Sequence, residues 1–287
     1  MSEIKKPMYV REEMGRLVKW FFGLPLMFII HLILSLFLPM KADSWRMVFV
    51  LNIINYIVFI AVCVVVITRF LKFPFGKMLA SDRSFSIKLL AIGFAPMFAL
   101  CLGTSFLWKG LQPEQFEFSL RSGWPVDFAL SLALVILAAF LEEVLCRAYV
   151  AFFIKDELEK RPRQKLFYCL GSAALFSILH FQNPEANGPG AIYAMVFYFI
   201  MGFALMAIYL KTEGIEASLG IHIANNLVSA WFFTYCSPVL KTNALFTQKS
   251  EIGPLSLLQA VFCVAASTVI VLTCSRKTPS VNSSETL

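Results

Sequence analysis

The chain has 287 residues, of which 59% are hydrophobic and 15% are charged. This apolar share exceeds that of a soluble domain and predicts an all-α, polytopic transmembrane helical bundle that lies in the lipid bilayer. The formal net charge of +7 excludes an acidic protein, and its Lys and Arg residues lie in short loops between apolar runs, where membrane topology explains them better than nucleic acid does. We therefore expect no nucleic-acid partner.

Apolar runs along the chain predict eight membrane spans. They cover residues 20–38, 47–68, 89–108, 126–154, 166–181, 191–210, 215–235 and 255–274. The first run is longer than the core of a signal peptide and lacks a cleavage site of small residues, so it is predicted to remain as a helix. The tail after Lys277 is predicted to be disordered.

The distribution of Lys and Arg predicts the orientation. With the N-terminus in the cytoplasm, eighteen of these residues fall in inside segments and six in outside segments, while Arg147 lies within a span. The excess on the inner side follows the positive-inside rule. The sequence thus predicts an integral membrane protein, in the cell membrane, with both termini cytoplasmic.

The stretch LEEVLCR, residues 141–147, places three charged residues inside the fourth predicted span. A charged side chain at the middle of a spanning helix costs about 2.5 to 3.5 kcal/mol, so each one needs a partner or water. Glu143 and Arg147 are four residues apart and share a helix face, which predicts an ion pair. Glu142 is rotated by about 100° and is predicted to face something else.

Two later spans carry ionisable or amide side chains at the same spacing of four. Phe176 and His180 lie on one face of the fifth span, and His222 and Asn226 lie on one face of the seventh. His31, the third histidine, has no polar neighbour at helical spacing and is interpreted as a packed residue.

Each of these groups also has a structural interpretation. Glu143 with Arg147 can be a buried ion pair that joins helices, Asn226 can be an interhelical hydrogen-bonding residue, and either histidine can be a satisfied core residue. Together, however, a spare carboxylate, two imidazoles and an amide donor form a hydrolytic set. A non-catalytic immunity or scaffold protein and a proton-coupled carrier are the alternatives to an enzyme.

The motifs LEEVLCR, FSILH and HIANN, in this order, resemble the EExxxR, FxxxH and HxxxN motifs of the CPBP family. This family comprises CAAX-type endopeptidases and bacteriocin-processing or Abi proteins. The stretch KTEGIEASLGIHIANN, preceded by Gly202, is similar to the family's approach to its last motif. The resemblance covers about residues 126–235 and predicts a catalytic four-helix core there, between an N-terminal part of three spans (residues 1–125) and a last span with its tail (residues 236–287).

The resemblance implies a role for each motif residue. Glu142 would activate water, Glu143 and Arg147 would brace it, and Asn226 would help to stabilise the oxyanion. His180 and His222 would line the same cavity, with Phe176 in support. Such enzymes are intramembrane endopeptidases, which implies a membrane-associated peptide or protein as substrate.

Zinc is possible as a cofactor, because His180, His222 and Glu142 match a zinc set with one open position. The HExxH motif is absent, and water held by Glu142 and the imidazoles without a metal is an equal alternative. The predicted spans place Glu142 and His222 in the cytoplasmic half and His180 near the outer end. A shared site therefore requires that the fifth helix start later, tilt or re-enter, or that the site lie nearer the middle of the membrane.

Overall fold

The computed structural model describes residues 8–39, 44–81, 83–152, 162–239 and 241–275. The predicted disordered tail after Lys277 lies outside these ranges. The first seven residues also lie outside them, and so do residues 153 and 154, the last two of the fourth predicted span. The helices are α1 (Met8–Ser35), α2 (Trp45–Val65), α3 (Phe75–Ala80), α4 (Ile87–Leu111), α5 (Trp124–Glu143), α6 (Tyr149–Phe152), α7 (Pro162–Leu179), α8 (Ala191–Thr212), α9 (Glu216–Trp231) and α10 (Pro254–Cys274).

The chain is a multi-pass helical membrane protein, as its composition predicted. Six of the described helical stretches are long and apolar enough to cross a membrane. The fifth predicted span corresponds to α7, whose apolar part, Gln164–Leu179, is shorter. The seventh corresponds to α9, which has 16 residues and ends earlier than predicted, at Trp231.

Three strands of three residues each lie at one end of the bundle, here called the sheet end. They are β1 (Phe116–Phe118), β2 (Phe233–Tyr235) and β3 (Phe246–Gln248). β3 is the central strand, antiparallel to β1 and parallel to β2. Residues 233–235, predicted as the end of a span, are therefore extended, because their backbone pairs with β3.

The stretch from Trp124 to Ala151 occupies the centre of the bundle. Half of its most apolar window is buried inside the protein, against 11 to 33% for the other five long stretches. It includes α5, a π-helical turn at Val144–Ala148 and part of α6. A span that contacts protein on most sides can carry charged side chains, because neighbouring helices rather than lipid surround them.

Small residues allow α4 and α9 to pack closely. A Cβ atom at Gly93 would collide with the carbonyl oxygen of Ala217, and one at Gly220 would collide with the backbone of Leu90 and Phe94. Helices in membranes approach each other at such positions, since lipid provides no hydrophobic drive between them. This contact sets the position of α9, which carries His222 and Asn226.

An ion pair at the other end of the bundle holds the start of α9. Arg83 pairs with the fully buried Glu216, whose Oε1 also accepts a hydrogen bond of 2.8 Å from the backbone N–H of Ser86. A carboxylate in the first turn of a helix also interacts favourably with the helix dipole. α9 is thus fixed at its start by charge and along its length by the glycine contacts.

Candidate active site

The charged residues of LEEVLCR lie where α5 passes into the π-helical turn. Glu143 and Arg147 are completely buried, and Arg147 Nη1 lies 3.1 Å from Glu143 Oε1. The guanidinium group also lies 4.5 Å from the centre of the Phe176 ring. The guanidinium nitrogens make no aligned hydrogen bond among the described residues, so charge attraction and the aromatic face hold this side chain.

Glu143 has a second partner that the spacing did not predict. Its Oε1 atom lies 2.9 Å from His222 Nδ1. Because an ionised carboxylate can only accept, we assign the proton to Nδ1. In neutral His222 the lone pair is then on Nε2, which points away from Glu143.

His180 lies just beyond the end of α7, and its ring orientation is also defined. Its Nδ1 is 2.7 Å from the backbone carbonyl oxygen of Phe176, so Nδ1 is the donor. The ring lies between those of Phe176 and Tyr198, with centroid distances of 4.3 and 4.1 Å. In neutral His180 the lone pair is again on Nε2.

Both imidazoles approach Glu142. Its Oε2 atom lies 3.5 Å from His180 Nε2 and 3.5 Å from His222 Nε2. These distances exceed a hydrogen bond of about 2.7 to 3.2 Å, and Oε2 has no hydrogen-bond partner among the described residues. When both imidazoles are neutral, Glu142 Oε2 and the two Nε2 atoms are all hydrogen-bond acceptors, and no donor lies between them. A water molecule or an added proton would supply that donor.

The α7–α8 connection begins at the level of the site. His180 directly follows α7, and its Nε2 atom lies 3.5 Å from Glu142 Oε2. The connection continues into a 3₁₀ turn at Pro184–Ala186, in which Glu185 and Ala186 are buried. The connection therefore packs against the protein at Glu185 and Ala186, beside the site.

A cavity of about 410 Å³ adjoins the site and is partly open. Glu142, His180 and Asn226 are among its lining residues. Asn226 lies one helical turn beyond His222. Its Oδ1 atom accepts a hydrogen bond of 3.0 Å from the Asn225 side chain. The structure thus places Asn226 in the same cavity as Glu142.

His222 differs from the expectation that both histidines line the cavity. It is only 2% exposed and is absent from the cavity lining. Its bond to Glu143 and the Phe176 ring, whose centroid lies 5.6 Å from its own, keep it behind Glu142. His222 therefore faces Glu142 Oε2 rather than the cavity. His31 lies elsewhere, stacked on Phe59 at 4.1 Å, which fits the interpretation of a packed residue.

Two residues near the site were missed from the sequence. Tyr198 covers one face of His180, and Glu185 accepts a hydrogen bond from the Tyr198 hydroxyl. Tyr198 lies among other aromatic and aliphatic residues of α8, so its spacing carries no signal. Glu185 was detectable in principle, as a lone acid in the short connection that directly follows FSILH.

The described residues do not show a metal site at the set proposed for zinc from the sequence, which is His180, His222 and Glu142. Each imidazole Nε2 lies 3.5 Å from Glu142 Oε2, close to the spacing of about 3.3 Å between two ligands of one tetrahedral zinc. Pairwise spacing alone does not make a site, and no group of three His, Cys, Asp or Glu side chains in the described ranges is arranged to hold a metal ion.

The packing of Tyr198 on His180 gives a first prediction. Tyr198→Leu removes both the ring and its hydroxyl, so we expect kcat for hydrolysis at this site to fall by about 10- to 100-fold, because a displaced catalytic group has an effect of this size. Tyr198→Phe keeps the ring and should lose less. The measurement is steady-state kinetics in liposomes.

The matched control for this prediction is Tyr209→Phe. Tyr209 lies on the same helix and donates a hydrogen bond of 3.0 Å to the carbonyl of Met78, away from the site. The Tyr209→Phe variant should retain full activity. Equal activity of Tyr198→Leu and the wild-type protein would show that Tyr198 does not position His180.

Comparison with known proteins supports the resemblance seen in the motifs. Residues 124–228 match the family model described as Rce1-like, type II CAAX prenyl endopeptidase. A protein of Bacillus subtilis (strain 168), named uncharacterized protein YyaK, is 31% identical over 168 residues, which are 57% of this chain.

The chain spans about half the length of this relative, 54%. No solved structure matches the chain. The matched segment contains α5, α7, α8 and most of α9, and with them LEEVLCR, FSILH and HIANN. Residues 124–228 of this membrane protein are therefore similar to an Rce1-like domain of the CPBP family.

Proposed function

We propose that this protein is an intramembrane endopeptidase that hydrolyses a peptide bond in a membrane-associated peptide or protein. One observation carries the proposal: Glu142 Oε2 lies 3.5 Å from the Nε2 atoms of both His180 and His222, beside a partly open cavity. Polar residues that only join two helices would not need a cavity beside them. A hydrolase needs it for water and for the bond that water attacks.

Glu142 is the proposed general base. It takes a proton from a water molecule, whose oxygen attacks the carbonyl carbon of the scissile bond. His180, which lines the cavity, accepts a hydrogen bond from this water at Nε2, and His222 packs behind Glu142 with its tautomer fixed by Glu143 through Nδ1. The proton then passes from Glu142 to the leaving nitrogen as the C–N bond breaks, which leaves a carboxylic acid and an amine.

Asn226 is the proposed donor to the oxyanion. Its amide lies in the cavity that contains Glu142, and its oxygen is occupied by Asn225. Its amide N–H groups then remain available to donate a hydrogen bond to the oxyanion. One such donor contributes about 10²- to 10³-fold to the rate in other peptidases.

The proposed arrangement in the membrane follows the charge distribution of the sequence. Both termini lie in the cytoplasm, the protein lies in the cell membrane, and residues 126–235 form the catalytic core between the first three spans and the last. With this orientation the sheet end faces outward. Arg121 and Lys249 then lie on the outer side and Arg69 and Lys77 on the inner side.

The test is direct cleavage by the full chain. The purified protein is reconstituted in liposomes with a pool of lipid-anchored synthetic peptides, and mass spectrometry identifies the products. We expect internal cleavage, with new N- and C-termini at one bond and no coupled proton flux. Proton uptake that depends on a transported solute, without new termini, would favour the carrier and contradict the endopeptidase.

The mechanism also predicts that activity does not depend on a metal ion. We expect cleavage to continue in the presence of an excess of chelator and the purified, active protein to contain far less than one zinc per chain. Elemental analysis and chelator titration measure this. Stoichiometric zinc that is lost in His180→Ala, together with loss of activity on chelation, would establish the metal-bound water instead.

A further inference from the structure

A helix outside the segment that matches the family model contributes to the cavity beside Glu142. Tyr56 lies on α2 and lines this cavity together with Ala138 and Glu142 of α5. The Tyr56 hydroxyl also interacts electrostatically with Glu142. Residues 124–228 therefore do not supply every polar group that faces the site.

The spacing of buried residues on α2 places Tyr56 on the inner face of that helix. Phe49 and Cys63, seven residues before and after it, are buried, and so is Phe59, three residues after it. Residues at these intervals share one face of a helix. α2 packs against α5, and the Tyr56 ring contacts the hydrophobic core. The side chain therefore extends into the protein rather than into lipid.

A contact at the sheet end fixes the level of Tyr56 relative to α5. Arg46 Nε, near the start of α2, donates a hydrogen bond of 2.8 Å to Asp127 Oδ1, near the start of α5. At a rise of 1.5 Å per residue, Tyr56 lies about 15 Å along α2 from this contact and Ala138 about 17 Å along α5. Tyr56 is therefore level with Ala138, about one turn from Glu142 on the side of the sheet end.

Asn226 reaches the cavity at a similar level. Trp231 Nε1, at the end of α9, donates a hydrogen bond of 3.0 Å to Ser131 Oγ of α5. Asn226 lies about 8 Å back along α9 from Trp231. Ala138 lies about 10 Å along α5 from Ser131. The levels of Asn226 and Tyr56 thus differ by less than one helical turn, although the two side chains come from different helices.

The Tyr56 hydroxyl is free to bind a ligand in the cavity. Buried tyrosine hydroxyls usually have a hydrogen-bond partner, and those of Tyr149, Tyr198 and Tyr209 each donate to an oxygen atom of the protein. The Tyr56 hydroxyl makes no hydrogen bond to another residue in the described ranges. Its O–H group is therefore a donor that an acceptor in the cavity can use.

The negative charge at the site moves during the proposed hydrolysis. It begins on the Glu142 carboxylate. Once this carboxylate has taken a proton from water, the charge lies on the former carbonyl oxygen of the peptide bond. Donors placed beside the base, as Tyr56 and Asn226 are, lower the barrier when they bind the oxygen on which the charge develops.

We propose that the Tyr56 hydroxyl donates a hydrogen bond to this oxyanion and is a catalytic residue together with Asn226. The proposal rests on the endopeptidase function proposed above and adds to it a group from the first part of the chain. Tyr56 keeps its proton throughout, so the proton from water still passes to Glu142 and then to the leaving nitrogen. Residues 124–228 alone therefore lack one group that the reaction uses.

Tyr56→Phe removes only the hydroxyl and tests the proposal kinetically. We expect kcat for peptides cleaved in liposomes to fall by about 10²- to 10³-fold, because removal of one oxyanion donor has an effect of this size. KM and the melting temperature should change little. The control is Tyr193→Phe, the same change on α8 outside the cavity lining, which should keep the wild-type kcat. An unchanged kcat in Tyr56→Phe would overturn the proposal.

A measurement without turnover detects the hydrogen bond itself. 3-Fluorotyrosine is incorporated at position 56 of the Glu142→Gln protein, in which residue 142 is neutral, as it is after proton transfer. Dimethylphosphinate, a tetrahedral anion, and dimethyl sulfone, its uncharged analogue, are titrated separately while the fluorine-19 chemical shift is recorded. We expect a saturable shift with the phosphinate, at a concentration at least about tenfold lower than with the sulfone, since an ionised acceptor binds a donor more strongly.

The two measurements separate this proposal from the endopeptidase. If no peptide is cleaved but the phosphinate gives the expected saturable shift, the donor site stands and the peptidase fails. If peptides are cleaved and the phosphinate gives no saturable shift, Tyr56 is not a donor to an oxyanion and the peptidase stands.

Discussion

Glu142→Gln is expected to abolish peptide cleavage and to leave the fold intact. Glutamine has almost the same shape but cannot take a proton from water, and general base catalysis contributes about 10²- to 10⁴-fold to such reactions. Glu142 is partly exposed to the cavity, with 20% of its side chain accessible, so the neutral amide can be accommodated. The measurement is kcat in liposomes together with the melting temperature.

The control for this variant is Glu117→Gln, the same change on β1, where the side chain is exposed. It should cleave at the wild-type rate. A folded Glu142→Gln protein that retains the full rate would refute the proposed mechanism. In that case the polar residues of the three motifs would only join helices, as in the immunity or scaffold alternative.

Arg147→Ala is expected to damage stability more than any change at Glu142. It leaves Glu143 completely buried without its cationic partner, and breaking a buried ion pair in this way costs about 3 to 5 kcal/mol. The contact with the Phe176 ring is lost as well. Phe176 supports His180, so the site should also lose its geometry. We expect low yield and a clearly lower melting temperature.

The comparison that isolates this effect uses a second arginine. Arg121 is exposed and lies over the Trp45 ring, so Arg121→Ala should change the melting temperature little. Exposed charged contacts contribute about 0 to 1 kcal/mol. Similar melting of Arg147→Ala, Arg121→Ala and the wild-type protein would show that the pair with Glu143 does not stabilise the fold.

Much of the fold and part of the candidate site follow from local spacing. Apolar runs mark the helices because lipid requires about 20 such residues in succession, and this predicted the six long stretches closely. The four-residue interval between Glu143 and Arg147 predicted their pairing, since the π-helical turn still leaves Nη1 3.1 Å from Oε1. Glu142, on a different face, was predicted to have other partners, and it does.

Other features depend on contacts between distant parts of the chain. His222 and Glu143 are 79 residues apart, so the bond that sets the tautomer of His222 could not be read from either motif alone. The strand at Phe233–Tyr235 was predicted as helix because its residues are apolar, and only pairing with β3 makes it extended. Tyr198 likewise meets His180 only because α8 packs against α7.

The sequence by itself determined that this protein is a helical membrane protein and which polar residues its interior contains, because burying charge in lipid is costly wherever it occurs. Only the tertiary structure decided which of these residues meet. It brought His180, just beyond the end of α7, to Glu142, and it placed Glu185 at the cavity. The physical reason is that helix spacing defines a face, whereas the neighbour of that face depends on how all the helices pack.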